Sequence, residues 1–420
     1  MQRFYLLLGL AAFLTHPLNS PAQIQKAPLT LPQAIQKAIE FNPSLVASGR
    51  DIDIADAGLV QAKAWPNPEL EVLSEGVNEK YQTTTAQINH VIELGGKRSS
   101  RISVAERDWE AALADLASQR TALRADVAAA FFDVLAAQER IQLAETSYQL
   151  GMQVNSVVKR RVAAGRVSPI EATRTSVAEL TIRSELNQAR VDFELAKIRL
   201  AALWGETAPK FNEVDQPAAG NNFYSDEFYN NLPTLQSQLK NSPQLIRAQL
   251  EIERQQAQED VERSQQIGDV TVSIGNKRET EFGRNQTIVG ITVPLPLFDR
   301  NQGNVLGALR KTDKARDELH AITQRLSSEL AQTYQRYAFS KADLQLLRTE
   351  ILPQAESVIA ATIKGFEFGK FNLLDVLEAQ RTLFQTKSQY LKTQADLYRS
   401  VADIERIVGS DQLTRVINEK

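Results

Sequence analysis

From Leu31 onward the apolar residues recur every three to four positions over unusually long stretches, the spacing of helices that bury one face. In the first half this predicts helices over about 31–63, 97–164 and 169–203, and in the second over about 232–266, 303–368 and 373–407. Each middle helix has about 67 residues, or about 100 Å at 1.5 Å per residue, several times the ordinary globular length. The flanking helices have about 33–37 residues, so two of them end to end equal one middle helix. The expected body sets one long helix beside two stacked half-length ones. Pro353 falls inside the second long helix and is expected to bend it, because proline lacks the amide that would bond the preceding turn.

Between the first and second helices of each half the period drops to two. Pro66 and Pro68 stop the first helix, and about 69–77 and 81–93 read as a hairpin of two strands. In the second half Val270, Val272 and Ile274 alternate with Asp269, Thr271 and Ser273. Val289, Ile291, Val293 and Leu295 alternate similarly until Pro294 and Pro296 end the strand. The first pair is the more polar. The fold class is mainly α with a small β part.

The two halves are copies. Asn42-Pro43-Ser44-Leu45 returns as Ser242-Pro243-Gln244-Leu245, Gly165 as Gly369, and Leu203-Trp204-Gly205 as Ile407-Val408-Gly409, at offsets of 200 to 204. The expected layout is a first repeat over 23–205, a loop over 206–231 lying against the helices near mid-height, a second repeat over 232–409 and a tail over 410–420. At the far end of each long helix the chain turns back in the same way. Gly165 suits a left-handed helix end, Ser168 and Pro169 open the next helix, and Glu171 is placed to complete a capping box. Gly369, Asn372 and Asp375 repeat this arrangement, which marks both tips as a shared surface.

Residues 1–22 have the form of a secretory signal: Arg3, an apolar run from Phe4 to Leu14, then the small residues Ser20 and Ala22 around Pro21. Its run of about 11 apolar residues is too short for a membrane helix, which takes roughly 20. There are no cysteines, which excludes disulfides, thiolate metal sites and lipid anchoring through a cysteine. The formal net charge of -3 gives no basic field for nucleic acid. A membrane role would therefore need the strands. Four strands cannot close a barrel, and lipid leaves an open sheet edge unbonded, so several chains must pool them. Three chains would give a barrel of about 12 strands, whereas a barrel of about eight is filled by its own side chains.

Catalytic chemistry is not written here. Gly95-Gly96-Lys97-Arg98-Ser99 lacks the spacing of a phosphate loop and reads as a turn from strand to helix. His90 and His320 each have a single carboxylate nearby, Glu93 and Asp317, which does not make a metal site. No cofactor, metal site or enzyme is expected.

These residues resemble the TolC family of outer-membrane efflux channels over essentially all of Leu29 to Gly409. The matches are Asn42-Pro43, the run Val91-Ile92-Glu93-Leu94-Gly95-Gly96-Lys97-Arg98, and Asp375-Val376-Leu377-Glu378-Ala379-Gln380. The run at 91–98 is similar to the CzcC-type heavy-metal branch. The resemblance implies a homotrimer with its barrel in outer-membrane lipid and its helical tunnel in the periplasm. It also implies a periplasmic adaptor at the tip and an inner-membrane RND-type pump behind it, carrying divalent heavy-metal cations. By that resemblance Arg161, Gly165, Val167, Ser168, Gly369, Phe371 and Asn372 would face the adaptor. Asp375 and Glu378, one turn apart, would form carboxylate rings at the aperture, where Arg174 beside Glu171 breaks the equivalent acidic pair. The alternatives are a drug-efflux or type I protein-secretion channel and, from another class, a periplasmic coiled-coil adaptor or structural protein.

Overall fold

The computed structural model describes residues 28–77, 81–216, 229 and 231–409. The expected signal segment and tail lie outside these residues, as does part of the connecting loop. The chain runs α1 (Leu31–Phe41), α2 (Pro43–Ala62), β1 (Glu69–Glu75), β2 (Thr83–Ile92), α3 (Lys97–Ala163) and α4 (Pro169–Ala202). It then repeats as α5 (Leu232–Gln238), α6 (Pro243–Ser264), β3 (Val270–Glu279), β4 (Arg284–Thr292), α7 (Gln302–Leu346), α8 (Leu352–Glu367) and α9 (Leu373–Val408).

The uninterrupted helix expected over 31–63 is two helices. Residues before proline are pushed out of the helical region, and Asn42 adopts φ -67°, ψ 120°. Its side chain caps α2 by accepting from the Leu45 amide at 2.9 Å and donates to the Leu203 carbonyl at 2.7 Å, tying the break to the end of α4. The second repeat breaks at the same place, through a 3₁₀ turn at Leu239–Asn241. Gly205 and Gly409 both take positive φ, 77° and 75°, and rest against Pro43 and Pro243 respectively.

The long helices differ. α3 is continuous over 67 residues. Its counterpart is interrupted by a π turn at Leu347–Ile351. This is the form the disturbance at Pro353 takes: the carbonyls left without a proline amide are shared out through a widened turn.

Helix α3 packs against α2 and α4 of its own repeat and also against α6 and α9 of the other; α7 and α8 lie on the far side of α6 and α9. One long helix therefore stands beside two stacked half-length helices, twice over. The main core sits at mid-height, where Phe132 stacks on Tyr398 at 3.8 Å and Leu200, Leu330, Leu397 and Ile404 are fully buried. Residues 206–216 cross this level: Val214 is buried, bridges to Leu29, and has its amide and carbonyl bonded by the Gln138 side chain. The strands form one antiparallel sheet in the order β1-β2-β3-β4, with the β2–β3 pairing joining the repeats and β1 and β4 at the edges.

Candidate functional site

Two surfaces carry chemistry, the sheet at one end and the paired tips at the other. In the sheet, paired residues share a face. Leu70, Ile88, Ile274 and Val289 form one row straight across all four strands. His90, Val272 and Ile291 lie on the same face, and so does the Ile92–Val270 pair. The opposite face has Glu71, Gln87, Gly275 and Ile288 in one row and Glu69, Asn89, Ser273 and Gly290 in another. Toward the helices the first face is mostly apolar and the opposite face mostly polar. A strand of ten residues is about 33 Å long, and at a 45° tilt its height is about 23 Å, the thickness of the apolar band of an outer-membrane barrel. Exposed aromatics flank this band: Tyr81 and Phe282 at the loop end, Trp65 and Phe298, the latter 93% exposed, at the helix end. Strand boundaries differ from the expected ones, since β1 ends at Glu75 and β4 runs from Arg284 to Thr292.

The run at 91–98 holds the sheet to the helices. Gly95 and Gly96 turn with φ 69° and 76°, and a side chain on Gly95 would lie 2.7 Å from the Ser264 carbonyl oxygen. Lys97 pairs with Asp269 at 2.6 Å, and Asp269 also accepts from the Leu94 amide. Arg101 donates to both oxygens of Glu93. Arg98 donates to the Lys63 carbonyl and lies over the Trp65 ring at 4.7 Å. No spacing rule anticipates these cross-chain partners.

At the other end the two turns lie side by side and enclose a groove of about 800 Å³ lined by Arg161, Val167, Ser168, Glu171, Phe371 and Asn372, among others. Arg161 spans the two tips: its guanidinium donates to the Phe366 carbonyl at 3.0 Å and lies 4.4 Å from the centre of the Phe366 ring. Val154, Val158, Phe366, Leu373 and Val376 pack beneath it. Gly165 and Gly369 take φ 66° and 74°.

The two turns do not close alike. Asn372 and Asp375 form a full capping box, with the Asp375 amide donating to Asn372 at 3.0 Å and the Asn372 amide donating back at 2.8 Å. The box expected from Ser168 and Glu171 is not formed. Glu171 instead pairs with Arg174 at 3.1 Å, and that ion pair holds its carboxylate away from the Ser168 amide. Asp375 and Glu378 are exposed on the first turns of α9.

Three carboxylates of the helix array have shifted pKa values. Asp133 bonds Arg399 at 2.6 Å, and burial, working against that arginine, raises its pKa. Asp126 is also raised, by burial first and by Asp403, with Arg406 opposing. Glu251, held by Arg254, Gln255 and Arg247, is lowered to about 2. Among the described residues no group of three or more His, Asp or Glu side chains converges, and no helix is long and apolar enough to cross a membrane.

The profile of the family described as Outer membrane efflux protein matches residues 34–206 and 234–410. The chain is 41% identical to the cobalt-zinc-cadmium resistance protein CzcC of Cupriavidus metallidurans, over 97% of this chain and all of that one. The nickel and cobalt resistance protein CnrC of the same organism is 27% identical over 71% of each chain. Among solved structures, CusC superposes with a TM-score of 0.76 at 16% identity, covering 91% of this chain and 92% of that one. VceC of Vibrio cholerae superposes at 0.73 and 17% identity, covering 90% and 96%. The family profile spans both repeats and the relative at 41% identity covers nearly the whole chain, so the chain belongs to the outer membrane efflux protein family.

Proposed function

We propose that this chain is the outer-membrane duct of a tripartite efflux system for divalent heavy-metal cations. Three copies close their sheets into one barrel of about 12 strands with the row Leu70, Ile88, Ile274, Val289 toward lipid and the row of Glu71 and Gln87 toward the bore. The helices continue the bore across the periplasm. The duct is passive, as the family and fold are those of channels. A periplasmic adaptor grips the tip at Arg161, Gly165, Val167, Ser168, Gly369, Phe371 and Asn372 and connects it to an inner-membrane RND-type pump. Rings of Asp375 and Glu378, with Glu171, line the aperture and favour cations.

The observation that carries this reading is the sheet: toward the helices one face is mostly apolar and the other mostly polar, and both edges are open, which has a stable place in lipid only when copies close it. Resistance to cobalt, zinc and cadmium in the name of the relative at 41% identity supports the cargo. The test is gene deletion followed by growth on graded zinc, cobalt, cadmium, nickel and a panel of drugs, with complementation by the full chain. Metal sensitivity restored to normal by complementation is expected. Unchanged metal tolerance with lost drug tolerance overturns the cargo, and a protein that fractionates as a soluble monomer overturns the duct.

A further inference from the structure

The face of the sheet that the duct reading turns toward lipid changes character part-way along its strands. Near the helices it is apolar apart from His90, and its last apolar row is Leu70, Ile88, Ile274 and Val289. The exposed residues Val293, Leu295, Leu297 and Phe298 carry the apolar surface past the end of β4 toward the helices. In the other direction the next row is Val72, Ala86, Asn276 and Thr287, and the one after it is Ser74, Thr84, Arg278 and Asn285. Rows on one face are two residues apart, about 6.6 Å along the strand or about 5 Å of height at a 45° tilt, so these two rows raise the wall by roughly 10 Å. The apolar band thus sits low on the sheet, and a mostly polar belt stands above it.

Charge is sorted between the two faces as well. Every carboxylate within the four strands, Glu69, Glu71, Glu75 and Glu279, lies on the bore face, where Lys277 pairs with Glu279 at 3.4 Å. Arg278 lies on the outward face and is exposed; its row neighbours are Thr84 and Asn285, and neither its row nor the next one contains a carboxylate. In the turn beyond, Phe282 is 62% exposed with the Arg284 guanidinium 5.7 Å from its ring centre. The polar rows cut this ring off from the apolar band. A cation with hydroxyl and amide donors beside it and no competing anion suits a phosphate bonded to a polyol, and an exposed ring face suits the C–H face of a sugar. An ordinary phospholipid supplies only part of this, since each headgroup layer of such a bilayer adds about 5–8 Å. The belt together with its turn is taller than that.

We propose that the outer half of this face binds a phosphorylated glycolipid of the outer leaflet, with Arg278 on the phosphate, Thr84, Asn276 and Asn285 on sugar hydroxyls, and Phe282 against a sugar ring. The inference rests on the duct reading, which turns this face toward lipid, and adds the class of lipid the face is fitted to. Closing three copies repeats the belt three times round the barrel, one Arg278 to each copy. It also sets the height of the channel: hydrocarbon meets the Leu70 row and Phe298, and the belt stands in the sugar layer above.

The full chain in mild detergent is mixed with diphosphoryl lipid A, a phosphorylated disaccharide lipid, or with phosphatidylglycerol, which has a phosphate and no sugar, and is weighed by native mass spectrometry. Trimers that retain lipid A are expected, with phosphatidylglycerol held about tenfold more weakly. Arg278→Gln should weaken lipid A retention about tenfold, whereas Lys277→Gln, which removes the same charge from the bore face, should leave it unchanged. Equal retention of the two lipids, or equal loss in the two variants, overturns the inference. A trimer that keeps neither lipid overturns it and leaves the duct standing; a monomer overturns both. The chain has no cysteine, so single introduced cysteines give an independent measure of depth. With a fluorophore at Val289→Cys or Asn285→Cys, in vesicles of lipid A and phospholipid with brominated chains, quenching is expected at position 289 and not at 285. Equal quenching at both would carry hydrocarbon to the outer end of the strands and overturn the belt.

Discussion

The two tip turns descend from one pattern and settle differently. In the second, Asn372 and Asp375 satisfy each other's backbone amides, Gly365 lies under the Phe371 ring, and the carbonyls of Phe366 and Glu367 are bonded by an arginine from the first. In the first, Ser168 makes no cap bond and Glu171 is drawn to Arg174. The first turn is thus held by its long unbroken helix, whereas the second, standing below a π turn, is held by local bonds and by Arg161. Equal sequence grammar does not guarantee equal closure: one neighbouring cation decides whether a carboxylate caps its helix or forms a side-chain pair.

Breaking this contrast should have its largest effect at the bond between the tips. Arg161→Ala removes two charge-assisted donations and a cation–π contact and is expected to cost about 2 kcal/mol of local stability, seen as faster amide exchange across 362–380 with little change above the mid-height core. Gly365→Ala comes next. Alanine favours a helix by about 1 kcal/mol, but its Cβ would meet Phe371 at 2.0 Å, and overpacking of about 1–3 kcal/mol outweighs that gain. A variant that turns out more stable, with Phe371 unmoved, would remove Phe371 from the account of the second tip. The cleanest comparison is between the caps: Asn372→Ala should cost about 1 kcal/mol by thermal melting, and Ser168→Ala less than about 0.5 kcal/mol, since no bond is lost. Equal losses would mean that the turns are alike after all.

The smallest expected effect is a pH response confined to the upper helices. Glu251 has a folded pKa of about 2 against an ordinary 4.5, so its contribution is present above 4.5 and is lost as pH falls from there through about 2. Glu251→Gln should flatten the acid limb of the stability curve over that interval. Arg247 and Arg254 are each about a third exposed, and solvent screening of these pairs keeps the effect small.

The architecture was legible because it is repetitive. A stretch of some 67 residues with helix-compatible spacing and no proline has few outcomes, and a turn pattern written twice marks equivalent ends. The breaks at Pro43 and Pro243 were in plain view, yet apolar residues recur on both sides of these short interruptions, of one and four residues. The site was less legible. Arg161 reads as an exposed tip cation, but its partners are backbone carbonyls about 205 residues on, and a sequence carries no mark of carbonyls. Lys97 with Asp269 depends on the sheet register, which local alternation does not determine.

The row Leu70, Ile88, Ile274, Val289 also bears on how a newly made copy travels. Until lipid receives it, that sheet presents greasy side chains and two unbonded edges to water, a template on which stray strands can stack. Transit through an aqueous compartment is thus the most hazardous moment in the life of this molecule. It calls for an escort that masks the ribbon, or for membrane integration faster than encounters between unescorted copies.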